Sequence, residues 1–246
     1  MSEASIQTPE VSGQTFDIGD LLPDEYRDLL VRMMAHEGER TGNKSFMQFF
    51  ESVLDCAEKY APNQDAQLTM AGYVAEEMKH CIMFHRLIME IDKDLVFRDT
   101  PFAHYAFHIP RNTWTDMNWF NFFLDLNGAF HAGEWKHSSY LPLRRIAPTI
   151  ERDEFGHSNM GHRFLEETCK TPEGRAEAQE KLHTWYPAAL DTFGTSTSKR
   201  NPRFIYWGLK NMTNEALRQA YRKYADEKIR ALGLTPPDEK VNRKFL

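Results

Sequence analysis

Two short segments of the 246-residue chain repeat one pattern of metal-binding side chains. The first carries Glu77 and His80, and the second carries Glu154 and His157, each as Glu-x-x-His. Residues three apart on a helix lie side by side, so each segment would present a carboxylate and an imidazole in the same direction. A single Glu-x-x-His occurs by chance on many solvated helices, but two copies in one chain point to a shared site.

Both pairs continue the apolar face of a predicted helix, in line with Val74, Phe84, Ile150 and Phe164. Burying a carboxylate without a partner costs several kcal/mol, so two such pairs in one core require a positive charge between them. Oxygen and nitrogen ligands together suit iron, and manganese takes the same ligands. Helical bundles of this kind complete the site with one further carboxylate from each of the other two helices.

The third predicted helix offers two acids for this role, Asp125 and Glu134. Asp125 lies 29 residues before Glu154, and the predicted turn at 139–142 is about midway between them. Two antiparallel helices joined there would place Asp125 and Glu154 at the same height in the bundle. On its own helix, Asp125 shares a face with Phe122, Ala129 and Ala132. We therefore predict that Asp125 is a ligand and that Glu134 is a surface acid.

The sequence does not single out one acid of the first helix as the ligand. Glu37 is favoured because it continues the apolar face of Tyr26, Leu30 and Met33. Glu39 is a close second, although it lies toward the polar face, and Glu51 in the following segment is a third candidate. The ring nitrogens that do not bind metal need acceptors, for which Asp153, Glu76 or an acid on a neighbouring helix would serve.

Four carboxylates and two imidazoles nearly neutralise two ferrous ions and leave positions for dioxygen as co-substrate. Such a centre can oxygenate an organic small molecule or consume peroxide. The third helix is rich in aromatic residues, and we predict that Trp119 and Phe122 line an apolar substrate pocket. The competing interpretations are an iron-handling or peroxide-consuming ferritin-like protein, and a non-catalytic scaffold subunit.

The elements that must position these residues are helices, since strand signals are scarce. We predict an all-α, ferritin-like four-helix bundle with additional C-terminal helices, in which residues 1–20 form a mobile leader and 21–246 a single diiron domain. Segment 44–60 either continues the first helix after a kink or forms a separate one. Apolar periodicity and turn residues predict the remaining helices at about 62–91, 113–139, 143–169, 173–193 and 214–232.

Composition excludes several classes of protein. The net charge of −6 argues against nucleic acid as the main partner, because phosphate binding needs a surplus of Lys and Arg. No apolar stretch predicts a membrane span, and the first residues lack the features of a secretory signal. The three cysteines are far apart and contain no Cys-x-x-Cys pair, which is typical of thiols in a reducing, cytoplasmic setting.

Longer motifs connect the chain to a known family. These are PDEYRDLLVR, AEEMKH, WTDMNWFNFFLDLNGA, ERDEFGH, WYPAALDTFG, LKNMTNEALRQ and LGLTPPD, of which the last three lie outside the predicted metal site. Over most of residues 21–237 the chain resembles the phenylacetate-catabolism family of ferritin-like diiron oxygenases, in particular the catalytic subunits of phenylacetyl-CoA epoxidases.

The resemblance implies an oxygenase that inserts one atom of dioxygen into an aromatic ring held as a CoA thioester. It also implies an oligomer with a non-catalytic sister subunit of like fold, and a separate reductase. By position, the residues that match the family's iron ligands are Glu77, His80, Asp125, Glu154 and His157. The chain departs from the family at Thr41, where an ungapped match places the first-helix acid, and at Tyr73, where the family carries a lysine near the CoA.

Overall fold

The structure is a computed structural model that describes residues 11–38, 44–95 and 104–244, without the side chains of 36–38 and 44–46. Within these ranges the regular elements are helices, apart from an isolated β-bridge between Phe16 and Tyr140. The helices are α1 (Asp24–Gly38), α2 (Lys44–Tyr60), α3 (Gln64–Ile91), α4 (Trp114–Phe120), α5 (Leu126–Trp135), α6 (Leu141–Thr168), α7 (Pro172–Asp191), α8 (Asn201–Tyr206) and α9 (Asn214–Ala231). The prediction of an all-α protein is confirmed.

Four lengths of helix form the ferritin-like bundle: α1, α3, α4 joined to α5, and α6. In it α1 packs on α3, α3 packs on α6, and α4 and α5 both pack on α6. The additional helices cover its sides, with α2 on α3 and α4, α7 on α4, and α9 on α5. The segment 44–60 is therefore a helix of its own that packs against the bundle.

Side-chain caps start several helices where the sequence predicts them. Asn63 accepts a hydrogen bond from the backbone N–H of Ala66 at the start of α3, and Thr113 accepts from that of Asp116 at the start of α4. Thr171 and Thr213 cap α7 and α9 in the same way. Each cap satisfies one of the backbone donors that a helix leaves unpaired in its first turn. These local signals explain why the predicted starts agree with the observed ones.

A π-helical turn, Asn121–Asp125, joins α4 to α5 without a break in the helix. Such a turn is wider than an α-helical one and is common at functional sites. Two side chains from other helices donate to its carbonyl groups: Ser158 Oγ to Phe122 O at 2.8 Å and Tyr221 Oη to Phe123 O at 2.9 Å. The turn that ends at Asp125 is thus held by tertiary contacts from α6 and α9.

Residues 11–20, the described part of the predicted leader, lie against the bundle. Phe16 N–H donates to Ser139 O at 2.9 Å, and Leu141 N–H donates to Phe16 O at 2.8 Å. Ser12 N–H donates to the carbonyl of Tyr206 at 2.8 Å. These contacts anchor the segment beside the start of α6.

In the described ranges, none of the helices has both the length and the apolarity needed to cross a bilayer.

Candidate metal centre

Five of the predicted ligands meet in the middle of the bundle, where they interrupt its apolar core. Glu77, Glu154 and His157 each offer a ligand atom, and these atoms all lie within 4.8 Å of one another. Asp125 enters from the π turn and His80 from α3. Four of the five residues are buried, with exposed fractions of 4% to 8%, and the side chain of Glu77 is 19% exposed.

Each histidine contacts the glutamate of the opposite helix rather than that of its own motif. His157 Nδ1 lies 2.8 Å from Glu77 Oε1, and His80 Nδ1 lies 3.2 Å from Glu154 Oε1. Within α3, by contrast, His80 Nδ1 and Glu77 Oε1 are 3.9 Å apart. The two motifs therefore face each other across the interface of α3 and α6 and form one cluster.

The outer nitrogen of each imidazole contacts the acid that precedes the opposite glutamate. His157 Nε2 lies 2.7 Å from Glu76 Oε2, and His80 Nε2 lies 3.4 Å from Asp153 Oδ2. An acceptor at Nε2 favours the proton on that nitrogen and leaves the lone pair of Nδ1 directed into the cluster. Both residues that the sequence offered as acceptors occupy this position, each on the helix across from its histidine.

Several buried atoms face one another in the cluster without a hydrogen bond of normal geometry among the described residues. They are Glu77 Oε1, Asp125 Oδ2, His80 Nδ1 and His157 Nδ1. The two nitrogens lie 2.8 and 3.2 Å from glutamate oxygens, but only as charge contacts. Buried polar atoms nearly always form hydrogen bonds, because leaving one unsatisfied costs about 1–3 kcal/mol. Two carboxylate oxygens and two imidazole nitrogens that converge in this way are a suitable ligand set for iron or manganese.

Without a cation, the cluster binds protons. Burial and the charges of Glu77 and Glu154 raise the pKa of Asp125 well above its usual range. Burial and the charge of Glu77 raise the pKa of Glu154 to about 7. Burial opposes charging of the imidazoles, but the facing carboxylates outweigh it and raise the pKa of His80 to about 9 and of His157 to about 10. A metal ion would replace these protons.

The acid from the first helix stays a prediction. Glu37 belongs to α1, but its side chain is outside the described part of the chain, and Glu39 is outside the described residues altogether. Glu51 is exposed on α2 and does not line the cavity beside the cluster. Two other residues of α1, Arg32 and Met33, do line that cavity.

Glu134 is not the surface acid that the sequence predicted. Its side chain is buried, with 7% exposure, and its Oε2 accepts the backbone N–H groups of Asn211 and Met212, both at 2.8 Å. The loop before α9 covers this face of α5, which helical periodicity alone does not reveal. Glu134 thus anchors that loop and lies outside the cluster of Glu77, His80, Asp125, Glu154 and His157.

A cavity of about 370 Å³ opens beside the cluster. Glu77, His80, Asp125 and Glu154 form one part of its wall. The aromatic part includes five phenylalanines from α2, α3, the segment before α4, and α4 itself, namely Phe49, Phe50, Phe84, Phe107 and Phe120. This size is within the range of small-molecule sites, and the wall suits a planar apolar group.

Trp119 and Phe122, which we predicted to line the pocket, do not line this cavity. Trp119 is fully buried and donates from Nε1 to the carbonyl of Ala178 on α7 at 3.1 Å. Phe122 packs beside His162, with 5.7 Å between ring centroids. Both side chains point to faces of the helix that α6 and α7 cover, whereas Phe120 faces the cavity.

Polar and basic residues line another part of the cavity, namely Arg200, Asn201, Lys210 and Asn214. Lys210 Nζ lies 3.4 Å from Asn214 Oδ1, and burial lowers the pKa of the lysine. A half-buried ammonium group beside amide side chains is suited to an anionic part of a ligand. Two of these residues, Lys210 and Asn214, belong to the motif LKNMTNEALRQ, whose pattern does not by itself indicate a role at a cavity.

Comparison with known proteins agrees with this geometry. The family model for the phenylacetic acid catabolic protein matches residues 58–244. A relative from Escherichia coli (strain K12), which is one of the subunits of 1,2-phenylacetyl-CoA epoxidase, is 26% identical over 140 residues. That alignment covers 54% of this chain and 44% of the relative, so the chain matches less than half of that protein's length.

Proposed function

Because the chain belongs to the phenylacetic acid catabolic protein family, we propose that it is a diiron monooxygenase acting on an aromatic substrate linked to coenzyme A. The observation that carries the proposal is the group of buried carboxylate and imidazole atoms that converge, without hydrogen bonds of normal geometry, beside a cavity with aromatic walls. Two bound iron ions would supply the electrons that activate dioxygen. The chain's own residues would hold those ions, exclude water and place the substrate.

Glu77, His80, Asp125, Glu154 and His157 are the proposed ligands, together with Glu37 or Glu39. The helix packing already brings ligand atoms of Glu77, Glu154 and His157 within 4.8 Å of one another, which supports binding of a metal ion there. Glu76 and Asp153 orient the two imidazoles through their outer nitrogens. Manganese fits the same donors, and only metal analysis distinguishes the two.

The cavity supports an aromatic substrate with a charged carrier. Its phenylalanine side chains would hold a ring next to the metal ligands and keep water away from it. Lys210 and Arg200 would neutralise negative charge on the carrier, as the phosphates of a CoA thioester require. The relative is named as one of several subunits of a phenylacetyl-CoA epoxidase, which supports this substrate class and an assembly with further subunits. A sister subunit of like fold and a separate reductase remain part of the proposal.

The same observations weigh against the two competing functions. An iron-storing or peroxide-consuming protein does not need a cavity of about 370 Å³ with aromatic walls beside its metal ions. A scaffold subunit has no use for buried acids without partners, because they destabilise the fold unless a cation is present.

Metal analysis of two matched variants tests the site. We expect about two iron ions per chain in protein purified from iron-replete cells, because the ligand set is that of a two-metal bundle. Glu154→Gln replaces a ligand with a neutral amide and should remove at least half of the metal. Glu134→Gln makes the same change in a buried acid outside the cluster and should leave metal loading unaltered.

A wild-type chain that contains neither iron nor manganese would contradict the proposed function. Turnover is tested on metal-loaded protein supplied with a reductant and dioxygen, by mass spectrometry of the thioester. We expect phenylacetyl-CoA to gain one oxygen atom, and free phenylacetate to react more slowly because it lacks the carrier that the basic residues bind. Consumption of dioxygen without an oxygenated product would favour the peroxide-consuming alternative.

A further inference from the structure

We propose that Tyr73 is a positioning residue of the metal centre, which holds one oxygen of Asp125 so that the other oxygen is presented to the metal. The inference rests on the proposed function, because it concerns the same ligand set. It assigns a role to a residue that the Glu-x-x-His motifs do not include. Its basis is a contact between α3 and the π turn.

Tyr73 lies four residues before Glu77 on α3, so both side chains are on one face of the helix. The tyrosine is 4% exposed, and its hydroxyl group donates a hydrogen bond to Asp125 Oδ1 at 3.2 Å. The second oxygen, Asp125 Oδ2, is buried and has no hydrogen-bond partner among the described residues. The two oxygens of one carboxylate therefore have different environments, one satisfied by protein and one available.

The ring of Tyr73 also packs against a second proposed ligand. Its centroid lies 4.9 Å from that of the His157 imidazole, and the planes are nearly perpendicular at 85°. The tyrosine is thus wedged between the π turn and α6, in contact with a ligand from each. A side chain in this position restricts the rotation of both ligands, which lowers the entropy that metal binding must remove.

An aspartate can bind a metal through one oxygen or through both. A hydrogen bond to Oδ1 favours binding through Oδ2 alone, because chelation by both oxygens would compete with the phenol for the same lone pairs. Residues that orient ligands in this way typically contribute 10–100-fold to metal affinity. Loss of the hydroxyl group alone should therefore weaken one of the two metal positions.

The chain contains a matched control at Tyr186. This residue is also buried, and its hydroxyl group donates to a carboxylate, Asp226 Oδ1, at 2.7 Å. It lies on α7 and does not line the cavity. Tyr186→Phe and Tyr73→Phe therefore remove the same group and the same type of hydrogen bond, and only the second variant affects the proposed ligand set.

The test is an anaerobic titration of each metal-free variant with ferrous iron in competition with a chelator. We expect Tyr73→Phe to weaken one of two binding events by about 10–100-fold and to change the ligand-field spectrum of the bound iron. Tyr186→Phe should reproduce both wild-type affinities and the wild-type spectrum, with a lower Tm as its main effect. Unchanged affinities and spectrum in Tyr73→Phe would overturn the inference while the proposed function stands.

A double-mutant cycle separates positioning from packing. If Tyr73 acts through Asp125, the Tyr73→Phe change should have no further effect on iron affinity in a chain that carries Asp125→Ala. An equal loss in both backgrounds would show that the tyrosine acts by packing and would overturn the inference. A wild-type chain that binds no iron in the titration would overturn both the inference and the proposed function.

Discussion

At the scale of single residues, the two histidines of the cluster each contact acids of the opposite helix, α3 or α6. Each imidazole contacts one acid of the opposite helix with Nδ1 and the preceding acid of that helix with Nε2. Adjacent acids such as Glu76 and Glu77 point about 100° apart on a helix, so they reach different sides of the facing ring. In each of the dipeptides Glu76-Glu77 and Asp153-Glu154, the second acid therefore contacts Nδ1 of the facing histidine and the first acid contacts its Nε2.

The raised pKa values in the cluster predict how the stability of the metal-free protein depends on pH. A group with a higher pKa in the folded state contributes stability that is lost as the pH rises from its unfolded to its folded pKa. For Glu154 this window runs from 4.5 to about 7, and for His80 and His157 it runs from 6.5 to about 9 and about 10. Glu154, His80 and His157 therefore all contribute stability that decreases as the pH rises.

We therefore expect the free energy of unfolding of the metal-free protein to fall between pH 4.5 and about 10, measured by denaturant titration at several pH values. Iron affinity should rise over the same range, because the metal competes with these protons. Glu154→Gln should flatten the acidic half of the stability profile. A metal-free protein that becomes more stable as the pH rises would contradict the assignment.

At the scale of elements, the π turn between α4 and α5 carries Asp125 and packs closely on α6. Gly161 of α6 packs directly against it: a Cβ atom at this position would lie 2.7 Å from the backbone nitrogen of Phe122 and 2.8 Å from the carbonyl oxygen of Asn118. The absence of a side chain allows the two helices to approach closely here. This contact explains why a glycine occupies a buried position inside a long helix.

Gly161→Ala should destabilise the protein by about 1–3 kcal/mol, because the new methyl group meets backbone atoms that cannot rotate away. Gly156→Ala is the control, since nothing lies within 4 Å of a Cβ atom at that position of the same helix. Alanine has the higher helix propensity, so this second change should stabilise by up to about 1 kcal/mol. Denaturant unfolding of both variants measures the difference, and equal effects would contradict the close packing at Gly161.

At the scale of the whole molecule, the segment near Arg243 joins the additional helices to the wall of the cavity. Arg243 Nε lies 2.9 Å from Asp191 Oδ1, and both side chains are almost fully buried, at 3% and 1% exposure. The hydroxyl group of Tyr105 donates to the other oxygen of Asp191 at 3.1 Å. Phe107 and Thr192, next to these residues in the chain, line the cavity. The Tyr105–Asp191 hydrogen bond therefore connects two parts of the cavity wall, and Arg243 pairs with the carboxylate that forms it.

Arg243→Met should lower stability by about 3–5 kcal/mol, because it removes one partner of a buried ion pair. For a chain of this length we expect a fall in Tm of about 6–20 °C by calorimetry. Arg145→Met is the control: its partner Asp17 is 2.5 Å away, but the two side chains are 58% and 39% exposed. A solvated pair contributes at most about 1 kcal/mol, so similar losses in both variants would contradict the role given to Arg243.

The sequence alone was enough to predict the fold class, because helical periodicity, prolines and caps are local signals that each helix carries in its own residues. It was also enough to predict that Asp125 lies close to Glu77, His80, Glu154 and His157. The spacing of two residues within one motif is set by the helix, and the distance from Asp125 to Glu154 is set by the length of two helices around one turn. The family resemblance was likewise readable from contiguous motifs, and the family match over residues 58–244 confirms it.

The tertiary structure decided which residues touch across the bundle. The aromatic wall comes partly from Phe49 on α2 and Phe107 before α4, whose positions depend on how those segments pack. Glu134 is buried by a loop that lies 77 residues away in the chain, and Tyr73 reaches Asp125 across 52 residues. Such contacts form because one packing of distant segments has a lower free energy than the alternatives. Periodicity reports which face of a helix is apolar, but it does not report what covers that face.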